Sequence, residues 1–174
     1  SVDNSGIFGQ AGRRLDGLAY TAVFTLNVPS AGPNTVLGNQ QSYTFGGSAY
    51  GTTSPIGQAV LTINGISYNF ASDYFGYALQ RDGVGSDHDN INQRAVGYRG
   101  SVEESLQDGV ANLRNDMINT GRFVDTLVYD IRPEDMTFGS FYLSTRTNNG
   151  WTNLASGSLR ANRLVIGNPT STPA

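Results

Sequence analysis

The chain has 174 residues and no cysteine, so it is sized for one domain with a core of its own and lacks disulfides, thiolate metal sites and cysteine nucleophiles. A net charge of −3 and a charged fraction of 14% exclude a nucleic-acid surface, which needs clustered positive charge. The 11 basic residues are all arginine, which excludes lysine isopeptide links, and no apolar run approaches the ~20 residues that span a bilayer, so no direct membrane insertion is expected in this form.

Residues 1–16 carry four-residue glycine spacing and only Ile7, Phe8 and Leu15 as large apolar groups. They read as an irregular N-terminal arm with two outcomes: it packs back on its own domain, or it offers those three residues to a neighbouring copy. A phosphate-binding glycine loop would need a preceding strand and a following helix, and neither pattern is present. Residues 19–28 then place Tyr20, Ala22, Phe24, Leu26 and Val28 on one face, the mark of an amphipathic strand. Another strand is expected over 41–50, where Tyr43 and Phe45 alternate.

Residues 59–70, AVLTINGISYNF, spell out a hairpin with its register. Asn64 and Gly65 tolerate the positive φ of a two-residue type I′ turn, so Ile63 should face Ile66, Leu61 should face Tyr68 and Ala59 should face Phe70. A one-residue slip would expose the whole apolar set. Residues 73–80 read as an aromatic strand with Phe75, Tyr77 and Leu79 on one side and Tyr74 on the other.

The polar stretch 81–100 reads as a solvated loop. Its Asp82, Asp87, Asp89 and Asn90 supply the hard oxygens that calcium takes, although Ile91 falls where an EF-hand needs an oxygen. Calcium is therefore the one cofactor considered. In residues 101–119, Val102, Leu106, Val110, Leu113 and Met117 recur at four- and three-residue intervals, and Ser101 with Glu104 forms a capping box. This predicts one helix between Ser101 and Thr120, on a long crossover. Strand returns at 123–130, Pro133 turns a polar corner, and 139–147 and 157–166 form a last pair joined by a long loop that includes Trp151. Residues 168–174 read as a flexible tail.

The expected fold is mainly β: an antiparallel β-sandwich of jelly-roll type over 17–167, with that single helix. No catalytic constellation is legible, because there is no G-x-S-x-G elbow, no H-E-x-x-H and no phosphate loop, and the lone His88 has no evident partner. The chain thus reads as non-enzymatic. Glu134 and Asp135, as sequence neighbours, point to opposite faces of a strand and do not make a catalytic pair. An exposed aromatic platform of Tyr74, Tyr77, Tyr98 or Trp151 would instead mark a glycan-binding module.

The segments GIFGQAGRRLDGLAYTAVFTLN, SPIGQAVLTINGISYNF and GSFYLSTRTNNGWTNLASGSLRANRLVI resemble the ectodomains of bacterial PEP-CTERM proteins. In that family such segments follow a signal peptide and precede a sorting tail with a Pro-Glu-Pro motif, a transmembrane helix and an Arg cluster, which are not seen here. The resemblance implies an extracellular or cell-surface protein after signal-peptide removal, associated with extracellular polysaccharide or surface assembly. Abundant Gly, Ser, Thr and Asn agree with export. The expected role is a structural matrix protein, self-associating through sheet edges or its arm into a filament, with the glycan-binding module as the alternative.

Overall fold

A computed structural model describes residues 1–85 and 87–167; the expected tail lies outside the described residues. In chain order the first strands are β1 (Val2–Asp3), β2 (Arg13–Arg14), β3 (Tyr20–Leu26), β4 (Thr35–Leu37), β5 (Gln41–Gly46), β6 (Ile56–Ile63), β7 (Ile66–Phe70) and β8 (Phe75–Arg81). After them come β9 (Asp89–Arg99), β10 (Val102–Asn112), β11 (Leu127–Asp130), β12 (Met136–Thr137), β13 (Gly139–Thr147), β14 (Gly150–Leu159) and β15 (Arg163–Ile166). The Asn64-Gly65 turn forms with φ of 51° and 80°, and Ile63, Leu61 and Ala59 face Ile66, Tyr68 and Phe70 as their alternation dictates.

The fold is mainly β and sandwich-like, with antiparallel pairing. A ten-stranded sheet runs β2-β1-β14-β13-β10-β9-β8-β5-β4, with β12 attached to β10; β3-β6-β7 form a three-stranded sheet and β11-β15 a ribbon. This replaces the two four-stranded sheets expected of a jelly roll, because β8, β9 and β10 follow one another as neighbours in one long meander. The small sheet and the ribbon cover the same face of the large sheet, side by side. Under the small sheet, Ile56, Leu61 and Phe70 meet Ala95, Leu106, Phe141 and Leu143. Under the ribbon, Ile91 and Val110 meet Met117, Ile118 and Tyr129.

Two expectations for the centre of the chain are overturned. Residues 102–112 are strand β10, not a helix. Val102, Leu106 and Val110 recur every four residues, and four is a multiple of the strand period of two as well as near the helical 3.6. The intervening core-facing positions hold Glu104 and Asp108, so the apolar alternation that signals a strand is hidden. Likewise the polar stretch read as a loop contains β9, whose Ile91, Ala95 and Val96 are buried. The last hairpin is also tighter than expected: Thr147 faces Gly150 across Asn148-Asn149, and Trp151 lies on β14 opposite Arg146.

Residues 113–126 cross the core face without regular structure, so their backbone groups need side-chain partners. Buried Gln80 donates to the Thr120 and Arg122 carbonyls at 2.9 and 2.5 Å and accepts from the Val124 N–H at 3.1 Å. Buried Asp89 accepts from the Met117 and Ile118 N–H groups at 2.9 and 3.1 Å. Gly121 passes so close to the Gln40 backbone that a Cβ there would collide with it.

Asp3 plays the same part for the arm. Its fully buried carboxylate accepts from the N–H groups of Gly6, Ile7 and Phe8 at 2.8, 3.0 and 2.6 Å. The loop is thereby curled, and Phe8 enters the core edge-on to Phe141, ring centroids 5.6 Å apart. Of the two outcomes for the arm, the chain therefore takes the first: Phe8 and Leu15 are core residues of their own domain, with Ile7 packed against them.

Candidate functional site

Opposed residues in a sheet project from the same face, so the strand register states what lies on the uncovered side of the large sheet. One row across it reads Phe45, Tyr77, Arg94, Gln107, Ser140 and Ser158. At the usual spacing of ~4.8 Å per strand, these six positions extend over roughly 24 Å. The flanking rows add Tyr43, Leu79 and Asn92 on one side, and Phe75, Val96, Ser105 and Tyr142 on the other. Among the described residues no second sheet covers this face.

Aromatic rings concentrate on β5 and β8. Tyr43, Phe45, Phe75 and Tyr77 are half-buried on this face, and the Tyr50 ring lies 5.1 Å from that of Phe45 and 5.8 Å from that of Phe75. Burial raises the Tyr77 hydroxyl pKa above its ordinary value. Beyond the aromatic strip the face becomes polar. Gln107 donates to the Asn92 side chain at 3.3 Å, and the Glu103 carboxylate accepts from the hydroxyls of Tyr142 at 2.5 Å and Tyr98 at 3.3 Å. Burial, then Glu103, pushes up the pKa of the Tyr142 hydroxyl. Arg94, between the strip and these groups, has a buried Nε without a hydrogen-bond partner among the described residues. At its far end the row enters a groove of about 370 Å³, lined by Gln107, Ser140, Ser158 and Arg160 among others.

The four candidate stacking residues all border this face. Tyr77 is in the strip, Tyr98 projects from β9, and Tyr74, just before β8, meets Tyr98 edge-on at 4.9 Å. Trp151 stands at the β13–β14 tip, 57% exposed. Tyr43, Phe45 and Phe75 belong to the same surface, a fact visible only once β5 is known to neighbour β8. Arg94 and Gln107 escape a sequence reading because β9 reads as a loop and β10 as a helix, while Tyr142, on the expected strand 139–147, joins this face only through the pairing of β13 with β10.

The four calcium candidates do not share a site. Asp89 spends its carboxylate on the N–H groups of Gly83, Met117 and Ile118, and Asn90, its strand neighbour, projects to the opposite face. Asp82 and Asp87 lie in the preceding loop. Among the described residues no group of three or more His, Asp or Glu side chains is placed to hold a metal ion. The acidic corner is structural: Glu134 pairs with Arg114, and Asp135 accepts from Tyr129 and Asn112.

No protein-family model, curated protein or solved structure matches this chain.

Proposed function

We propose that this is a non-enzymatic, exported surface protein whose open sheet face binds polysaccharide. The observation that carries the reading is the strip of Tyr43, Phe45, Phe75 and Tyr77 on neighbouring strands, set beside hydrogen-bonding side chains on a sheet face that no second sheet covers among the described residues. Monomeric proteins seldom leave such an apolar strip without a use. Flat rings offer stacking area to sugar rings, while Gln107, Asn92 and the serines of the same row supply fixed donors and acceptors for hydroxyls. The resemblance of three segments to PEP-CTERM ectodomains supports export and an extracellular polysaccharide as the partner class. Affinity electrophoresis through a panel of soluble polysaccharides tests the reading. Retardation by at least one polymer, lost in Tyr77→Ala and Phe45→Ala variants that keep the wild-type melting temperature, is the expected result; no retardation by any polymer would refute it.

A second reading, self-association, is favoured by one feature. Strand β3 is an edge of the small sheet, seven residues long and without a charge, and its Val23 is 44% exposed. Edge strands of this kind pair with other chains unless protected. Light scattering of the wild-type chain beside Val23→Lys decides it: assemblies that the lysine disperses support pairing through β3, and a monomer at high concentration removes it.

A further inference from the structure

The open face carries charge opposite to that of the molecule. Net charge is −3 over the chain, yet the strand residues that project from this face include Arg81, Arg94 and Arg146 against Glu103 alone in the central strands, and Arg160 lines the groove at the end of the central row. None of these four arginines has a carboxylate within ion-pair distance among the described residues, whereas Arg99, Arg114, Arg132 and Arg163 all do. Glu103 is itself engaged by two tyrosine hydroxyls. Arg94 is the most telling: it stands directly beside Tyr77 on the neighbouring strand, and its buried Nε has no hydrogen-bond partner among the described residues. A buried donor left unpaired is costly, and a guanidinium matches a carboxylate through two parallel hydrogen bonds.

We infer that the face selects an acidic polysaccharide, with Arg94 receiving the carboxylate of a uronic-acid residue stacked on Tyr77. This rests on the polysaccharide reading above and specifies the ligand class. Arg81, whose Nε is held by Gln41 at 2.9 Å, and Arg160 extend the positive track to either side, so successive acidic units meet successive arginines. Neutral polymers can still stack on the aromatic strip but leave Arg94 unsatisfied. Selectivity therefore comes from the arginine and general affinity from the rings.

The test compares three probes on the purified chain: polygalacturonate, the same polymer with its carboxyls methyl-esterified, and dextran. The expected result is binding of polygalacturonate at least tenfold tighter than of either neutral probe, weakening as salt is raised. Arg94→Gln should lose tenfold or more on polygalacturonate with no change on the neutral probes, and Arg163→Gln, whose arginine lies on the covering ribbon, should leave all three unchanged. Should Arg94→Gln not fold, the esterified polymer against the wild-type chain makes the same comparison without a variant. Equal binding of acidic and esterified polymers, or an equal loss in Arg163→Gln, overturns the acidic selectivity while leaving the polysaccharide reading standing. Absence of binding to all three probes and to the wider polymer panel overturns both.

Discussion

Tyr68 on β7 donates its hydroxyl hydrogen to the fully buried Glu104 carboxylate on β10 at 2.7 Å, tying the small sheet to the large one. The second oxygen accepts from the Ala71 N–H at 2.7 Å, and Arg99 reaches the first at 3.3 Å while lying over the Tyr68 ring. Removing one partner of a buried charged group costs about 1–3 kcal/mol, so Tyr68→Phe should lower the unfolding free energy by that amount in urea melts. Burial, then Glu104, pushes the Tyr68 pKa up to about 12. The folded state therefore keeps a proton that the unfolded chain gives up near pH 10, and stability is full below pH 10 and falls between 10 and 12. Tyr68→Phe should flatten part of that alkaline decline; an unchanged profile would show that the bond contributes nothing.

Asp108 behaves in the opposite pH range. It occupies a core-facing position of β10, and burial raises its pKa to about 6, partly offset by the hydrogen bond from the Gly109 N–H. The Tyr20 hydroxyl lies beside it but makes no hydrogen bond of normal geometry. A carboxyl with a raised pKa binds its proton more tightly folded than unfolded, so stability is greatest at acid pH and declines as pH rises from about 4 to about 6. The full decline is about 3 kcal/mol, at ~1.4 kcal/mol per pH unit. Asp108→Asn should raise the melting temperature at pH 7.5 and leave it nearly unchanged at pH 4. A lower melting temperature at pH 7.5 would mean that the charge is compensated.

What the sequence reveals and hides follows from these two carboxylates. Short-range turn chemistry and apolar alternation are local, so the Asn64-Gly65 hairpin and the strands containing Tyr43, Tyr77 and Phe141 were legible residue by residue. Glu104 and Asp108 interrupt the alternation of β10 because their compensation comes from Tyr68, Ala71 and Gly109, two of them more than thirty positions away. The same holds for β9, whose Asp89 and Arg94 make it read as solvent-facing. Half of the aromatic strip could be seen as alternation along β5 and β8, but its continuity depends on Phe45 facing Tyr77 across 32 positions, a pairing no local pattern encodes.

Asp89 should matter for stability and not through calcium. Its carboxylate satisfies three backbone N–H groups from two segments, and among the described residues it belongs to no group of three or more His, Asp or Glu side chains placed to hold a metal ion. Asp89→Asn replaces an acceptor with a donor facing those groups and should cost roughly 2–4 kcal/mol. The loss should be equal in millimolar calcium and in chelator. A calcium-dependent rise in the wild-type melting temperature that vanishes in this variant would restore a metal role to the loop.

Asp3 makes the arm part of the domain. Three N–H groups converge on its carboxylate, and the turn they close carries Phe8 into contact with Tyr68 and Phe141. Asp3→Ala should therefore expose 5–8 to rapid hydrogen exchange, and deleting 1–15 should destabilise by about 3–5 kcal/mol, the usual cost of emptying a buried phenylalanine site. A truncated chain as stable as the intact one would show that the arm is dispensable.

Gln80 offers the sharpest separation of hydrogen bonding from packing. Its amide nitrogen faces the Thr120 and Arg122 carbonyls and its oxygen faces the Val124 N–H, so it holds the crossing segment to β8. Gln80→Leu preserves volume but leaves three backbone groups unpaired, and because Arg122 is exposed water relieves part of the deficit. A pH-independent loss of about 2–3 kcal/mol is expected. Gln80→Glu keeps the shape yet sets a carboxyl oxygen against two carbonyls, an arrangement tolerable only while the carboxyl is protonated. Its folded pKa must then lie above the unfolded value near 4.3, so this variant should match the wild type most nearly at pH 4 and fall away from it as pH rises. Hydrogen exchange should speed up at 120–124 in both variants. If Gln80→Glu showed the same deficit at every pH, the side chain would be acting through packing alone.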